Sequence, residues 1–301
     1  MKRGQIRIAS LDGDFDLQST LESGQSYLWW REDGNDYEAG THGDSGWYLT
    51  TTRATGDPAV VRVRQTDGRV EWESTVDAAP ILRDRLGLDD DLPAIRMATP
   101  DDDLVQSAYD EYWGMRIVRD PAFAGTISFI CSAQMRVSRI HGMQQALREA
   151  LGTPVEFDGE TYHAFPTPEQ LAAASEADLR DLKLGYRAPY VKRTAEMVAA
   201  GEAAPSDAAG LPYEEAREYL TQFVGVGDKV ADCVLLFSLG YLEAVPLDTW
   251  IRKTIAEYYP DCDRGNYTET SRAIRERLGG EYAGYAQTYV FHYLRNRDEG
   301  D

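Results

Sequence analysis

The chain has 301 residues, 43% hydrophobic and 11% aromatic, with 51 Asp and Glu against 31 Lys and Arg, for a formal net charge of -20. This apolar content supports a folded core over one large or two ordinary domains, and 18 Tyr, 6 Trp and 8 Phe exclude an acidic disordered chain. No run of about 18 apolar residues offers a membrane span, and MKRGQIRIASLDGD lacks the apolar stretch of a secretion signal, so a cytoplasmic protein is expected.

Cys131, Cys233 and Cys262 are too few and too scattered for a disulfide framework, a four-cysteine zinc site or a four-cysteine iron–sulfur cluster. The expected chemistry runs on organic side chains, with no metal and no cofactor. Only Lys2, Lys183, Lys192, Lys229 and Lys253 are lysines; all other basic residues are arginine. An acidic surface so poor in lysine looks like adaptation to molar salt, where the Debye length falls to about 3 Å and self-repulsion is screened. The charge therefore neither excludes nor favours a nucleic-acid partner.

The first hundred residues read as antiparallel β-structure. Strands are predicted at Gln5 to Ala9, Gln25 to Arg31 and Trp47 to Arg53. Val61 to Arg64 and Val70 to Glu73 alternate around Asp67-Gly68, which predicts a hairpin. After the acidic clusters at Asp89 to Asp91 and Asp101 to Asp103 the period changes to that of helices. The predicted organisation is α+β, with an N-terminal antiparallel sheet domain over residues 1–98 and an all-α domain over residues 99–301.

In the second half, Ile140, Met143, Leu147 and Leu151 form a helical stripe that stops at Gly152, read as a C′ glycine. Thr167-Pro168-Glu169-Gln170 and Ser175-Glu176-Ala177-Asp178 carry helix N-caps. Arg180, Lys183, Arg187, Lys192 and Arg193 make a local basic stretch. In LTQFVGVGDKVADCVLLFSL (Leu220 to Leu239), Gly225 and Gly227 predict a tight hairpin whose free N–H groups open a helix, a geometry suited to holding a phosphate. Lys229 falls in the first turn of that helix, where the dipole disfavours a cation; a depressed pKa and a nucleophilic amine are expected. In AVPLDTWIRKTIAEYY (Ala244 to Tyr259), Ile251, Ile255 and Tyr258 continue a helix capped by Asp248, a carboxylate expected near Lys229.

A helix-hairpin-helix followed by an approach to Asp resembles the helix-hairpin-helix DNA glycosylase superfamily, and the Lys229 and Asp248 pair resembles its 8-oxoguanine DNA glycosylase/AP lyase family. The strings LESGQSYLWW, FICSAQMRVSRIHGM, YHAFPTP, LGYRAPYV, VGVGDKVADC and YAGYAQTYVF are similar to that family, in order, across residues 10 to 295. The resemblance implies a monomeric enzyme acting on double-stranded DNA with 8-oxoguanine opposite cytosine. By it, Lys229 attacks C1′ and Asp248 assists; Gly24, Cys233, Gln287 and Phe291 bind the flipped base; Gln134, Arg139, Tyr186 and Arg187 contact the gap and the cytosine, and Gly225 and Gly227 the phosphate. Three departures stand out: Gln134 where Asn is usual, Val224 in place of Pro, and Trp250 where His is common. Two alternatives stay open: a monofunctional alkylpurine glycosylase, and a non-catalytic helix-hairpin-helix DNA-binding protein.

Overall fold

The computed structural model describes residues 1–35, 37 and 46–298. Five antiparallel strands, β1 (Lys2–Arg7), β2 (Trp30–Arg31), β3 (Tyr48–Thr52), β4 (Ala59–Thr66) and β5 (Arg69–Ser74), form one sheet in the order β1-β5-β4-β3-β2. The β4–β5 hairpin turns at Asp67-Gly68 and pairs Val63 with Trp72 and Gln65 with Val70. Its alternation is the cause of the register: Val61, Val63, Val70 and Trp72 all enter the core.

The expected strand over residues 25–31 shrinks to β2. Residues 25–28 are instead a buried loop after the short helix α1 (Leu17–Glu22). Gln25 holds it: its amide donates to the carbonyls of Thr20 and Arg116, and its side-chain oxygen accepts from Val118 N. Ser26 donates to Asp120 at 2.5 Å, and Arg85 donates to the other Asp120 oxygen. A loop whose polar groups are satisfied by side chains can be as apolar and buried as a strand, which is why the sequence pattern resembles one.

Helices begin before residue 98, with α2 (Ala79–Arg85) and α3 (Leu92–Ala98). They continue as α4 (Asp103–Glu111), α5 (Ala122–Ser132) and α6 (Val137–Leu151). A small hairpin, β6 (Pro154–Phe157) with β7 (Glu160–His163), interrupts the helical half. Then come α7 (Pro168–Ala173), α8 (Glu176–Asp181), α9 (Ala188–Ala199), α10 (Tyr213–Leu220), α11 (Asp228–Leu239), α12 (Thr249–Tyr258), α13 (Tyr267–Arg277) and α14 (Ala283–Asp298). The apolar core runs without a break from Val63 and Trp72 in the sheet to Ile127, Leu235 and Tyr289 in the helices.

Capping boxes form at Thr167 and Ser175. Gly152 departs from expectation. Its φ of -79° is not left-handed; a Cβ there would stand 2.1 Å from the Ala164 carbonyl oxygen, so close backbone approach requires the glycine. Along α12, Ile251 and Ile255 are buried and Tyr258 is 45% exposed. Among the described residues no helix is long and apolar enough to cross a membrane.

Candidate active site

The turn between α10 and α11 is built from outside in. Phe223 and Val226 are buried pegs, whereas Val224, Gly225 and Gly227 face solvent. Gly225 has φ +91°, and a Cβ on it would come within 2.9 Å of the Tyr190 ring, so only glycine closes this turn. Gly227 is the N-cap of α11 with extended backbone and no side-chain cap, and a Cβ on it would meet nothing. The first N–H groups of α11 are thus left for a ligand, which an anion suits.

In its first turn α11 carries half-buried Lys229, and one turn further buried Cys233. Asp248 caps α12, its carboxylate accepting from Ile251 N at 2.8 Å. Gly24 sits in the clamped loop, and Gln287 and Phe291 lie on successive turns of α14. Gly24, Lys229, Cys233, Asp248, Gln287 and Phe291 line one cavity of about 820 Å³. Within it the side-chain oxygen of Gln287 is buried and has no hydrogen-bond partner. None of the described residues donates to the Gly24 carbonyl.

Electrostatics correct one expectation. Burial does push Lys229 down, but Cys233, Tyr27 and Asp248 more than offset it, and the pKa lies above the ordinary lysine value. Lys229 is therefore an ammonium in the free protein. Burial also raises Asp248, against the opposing pull of the Ile251 N–H and Lys229. Cys233 is pushed up to about 11 by burial, so it is a thiol at neutral pH.

The remaining sequence-predicted residues lie around this cavity or outside it. Gln134, at its rim in the turn between α5 and α6, has φ +53°, unusual for a side chain that is not glycine. Arg139 is exposed on the first turn of α6. Tyr186 is 58% exposed with the Arg187 guanidinium 4.3 Å from its ring centroid. Arg187 itself is buried and donates to the Ala133 carbonyl, next to Gln134, so in this state it props the turn.

The basic stretch is less basic than it reads. Arg180 pairs with Glu176 at 2.8 Å, Lys192 with Glu196 at 3.2 Å and Arg193 with Glu202 at 2.7 Å. Glu176 and Glu196 stand one helical turn from their partners, and Glu202 is brought back onto Arg193 by the turn after α9.

The cavity also includes Tyr27, Tyr37, Phe129, Trp250 and Arg295, to which sequence reasoning assigned no part in it. Arg295 had a readable signal: Gln287, Phe291 and Arg295 recur every four residues and so share one face of α14. Tyr27 and Phe129 had none, since a buried aromatic beside the site reads as core.

Comparison with known proteins adds an independent line. A model described as HhH-GPD superfamily base excision DNA repair protein matches residues 127–279, and one described as 8-oxoguanine DNA glycosylase, N-terminal domain, matches residues 7–124. A probable N-glycosylase/DNA lyase of Methanothermobacter thermautotrophicus is 32% identical, the match covering 94% of each chain. The apo 8-oxoguanine glycosylase/lyase of Clostridium acetobutylicum superposes with TM-score 0.83 at 28% identity, over 97% of this chain and 96% of that one. Its complex with duplex DNA containing cytosine opposite 8-oxoG gives 0.81 at 27% identity, over 99% of both. The 3-methyladenine DNA glycosylase of Archaeoglobus fulgidus, at 20% identity and TM-score 0.74 over 97% of this chain and 98% of that one, shares the fold.

Proposed function

The chain belongs to the 8-oxoguanine DNA glycosylase branch of the helix-hairpin-helix base excision repair superfamily, enzymes with N-glycosylase and DNA lyase activity, and on that premise we propose that it excises 8-oxoguanine paired with cytosine in duplex DNA through a covalent lysine intermediate. The observation that carries this reading is the cavity that joins Lys229 and Asp248 to the unpartnered oxygen of Gln287. A slot of about 820 Å³ has room for a flipped nucleotide.

In the proposed mechanism Lys229 must first lose a proton, since it starts as an ammonium. Its Nζ then bonds to C1′ as the glycosidic bond breaks, and the base leaves with a proton. Asp248, held in place by the Ile251 N–H, stabilises the positive charge on the sugar. Opening of the sugar ring gives a Schiff base; removal of a C2′ proton then expels the 3′ phosphate and nicks the strand. The Gly24 carbonyl suits the N7–H that appears when guanine is oxidised at C8, because guanine offers an acceptor there. Gln287 reads the Watson–Crick edge, and Phe291 with Cys233 flanks the ring.

Around the extruded base, Tyr186 is the exposed wedge and Arg187 its support. Gln134 and Arg139 face the orphaned cytosine, and the N–H groups at Gly225 and Gly227 hold a phosphate.

Borohydride should trap a covalent adduct on an 8-oxoguanine:cytosine duplex with the wild-type chain. Lys229→Gln should give none and release no base. Base release that survives in Lys229→Gln would overturn the lysine mechanism and favour a monofunctional enzyme.

A further inference from the structure

A second cavity lies apart from the first, at the seam between the sheet and the helices. It measures about 210 Å³, and Leu28, Phe123, Ala124, Phe165 and Pro166 supply apolar walls. Two arginines, Arg53 and Arg148, also line it.

Arg148, on α6, is only 7% exposed. Its guanidinium lies 4.1 Å from the centroid of the Trp30 ring, and no described residue accepts a hydrogen bond from it or pairs with it. Burial pushes its pKa down to about 10, only partly opposed by the neighbouring Glu149 carboxylate, which does not pair with it. Arg53 donates to Thr153 Oγ1 at 2.6 Å, but its Nε is buried with no partner, and it too has no carboxylate.

The other buried arginines are each satisfied: Arg31 meets Asp33 at 2.6 Å, and Arg187, also without a carboxylate, donates to the Ala133 carbonyl. Arg85 meets Asp120 at 2.5 Å, Arg217 meets Glu214 at 2.6 Å, and Arg116 donates to the carbonyls of Asp12, Asp14, Gly87 and Asp90. Among the described buried arginines, Arg148 is the one whose guanidinium makes no hydrogen bond or ion pair to a described residue, and Arg53, half-buried beside it, has no carboxylate. A buried charge lacking compensation is strongly unfavourable, and an anion from solution removes that penalty.

We propose that this seam cavity binds a small organic monoanion, a carboxylate carried on a benzene-sized apolar body. The size sets the class: an apolar cavity of about 150 Å³ accepts benzene, and this one adds room for a carboxylate but not for a nucleotide. Carboxylate oxygens match the guanidinium fork, and the ring fills the space between Phe123, Ala124 and Phe165. An inorganic anion would satisfy the charge and leave those walls unfilled.

Benzoate and its neutral counterpart benzyl alcohol are the probes, titrated calorimetrically into the full chain at constant chloride. Benzoate should bind at least about ten-fold more tightly than benzyl alcohol. Arg148→Met and Arg53→Met should each reduce that preference, while Lys229→Gln, in the other cavity, leaves it unchanged. Ala124→Phe, which keeps both arginines and fills the seam, should abolish binding of both probes. Equal affinity for the two probes would overturn the proposal. So would benzoate binding that survives Arg148→Met and Ala124→Phe, or that disappears in Lys229→Gln.

Discussion

The Tyr267 hydroxyl donates to the buried carboxylate of Asp232 at 2.7 Å and accepts the N–H of Leu247 at 3.1 Å. Asp232 lies on α11 one turn after Lys229, and Leu247 directly precedes Asp248. Tyr213 closes the arrangement, donating to the other Asp232 oxygen at 2.6 Å. One hydroxyl thus ties the helix of the proposed nucleophile to the cap that holds the proposed carboxylate. Tyr267→Phe should cost about 1–3 kcal/mol of stability, since it leaves a buried N–H and a carboxylate oxygen unpaired. It should also slow single-turnover base release about ten-fold, equivalent to about 1.4 kcal/mol, with the DNA dissociation constant unchanged. Stability loss with an unaltered rate would show that the link is structural only.

The same carboxylate predicts a pH signature. Burial pushes Asp232 up to about 7, against the hydrogen bonds from Tyr213 and Tyr267 and the nearby Arg217 and Arg275. In the unfolded chain an Asp titrates near about 3.9. Between these values the native state holds a proton that the unfolded state has lost, so this contribution to stability is full below about pH 4 and is lost as pH rises to about 7. Asp232→Asn removes the titration. The melting temperature of the variant minus that of wild type should therefore rise across this window and level off above it. A difference that stays constant with pH would refute the assignment.

The parts of the fold written in local pattern were legible: the β4–β5 hairpin, the capping boxes at Thr167 and Ser175, and the cap at Asp248. Each depends on residues within a few positions of one another. Much of what was not legible depends on residues far apart. The loop holding Gly24 is fixed by Gln25 and Ser26 reaching to residues 116–120, so its apolar run resembles a strand. The pKa of Lys229 was misread although Cys233, the largest influence opposing burial, lies one turn along the same helix; the approach of Tyr27 and Asp248 exists only after folding. The basic stretch was overread for a different reason: Glu176 and Glu196 lie one helical turn from Arg180 and Lys192 and were not counted against it.

The two hairpin glycines should separate folding from DNA binding. Gly225→Ala forces a side chain into a left-handed conformation against Tyr190, a strain of about 1–3 kcal/mol, and should lower the melting temperature. Gly227→Ala meets no neighbour and keeps an allowed backbone, so stability should change by less than about 0.5 kcal/mol. Its methyl group would stand beside the free N–H groups of α11, and duplex affinity should fall. Thermal melts with fluorescence-anisotropy titrations distinguish the two. Unaltered affinity in Gly227→Ala would remove the hairpin from the DNA interface.

Salt dependence tests how an acidic protein holds DNA. With Arg180, Lys192 and Arg193 engaged by carboxylates, the exposed cations near the site without such partners among the described residues are Arg136, Arg139, Lys183 and Arg252. Each phosphate neutralised by a cation contributes about -0.9 to the slope of log K against log salt, so four contacts give about -3.6. A basic protein making about six to ten contacts would show about -5 to -9. Backbone N–H groups at Gly225 and Gly227 add affinity without adding net charge, and so without steepening the slope. Binding measured from low to molar KCl should therefore decline gently. A slope steeper than about -5 would mean that the ion pairs on α8 and α9 open on DNA and release their cations to the phosphates.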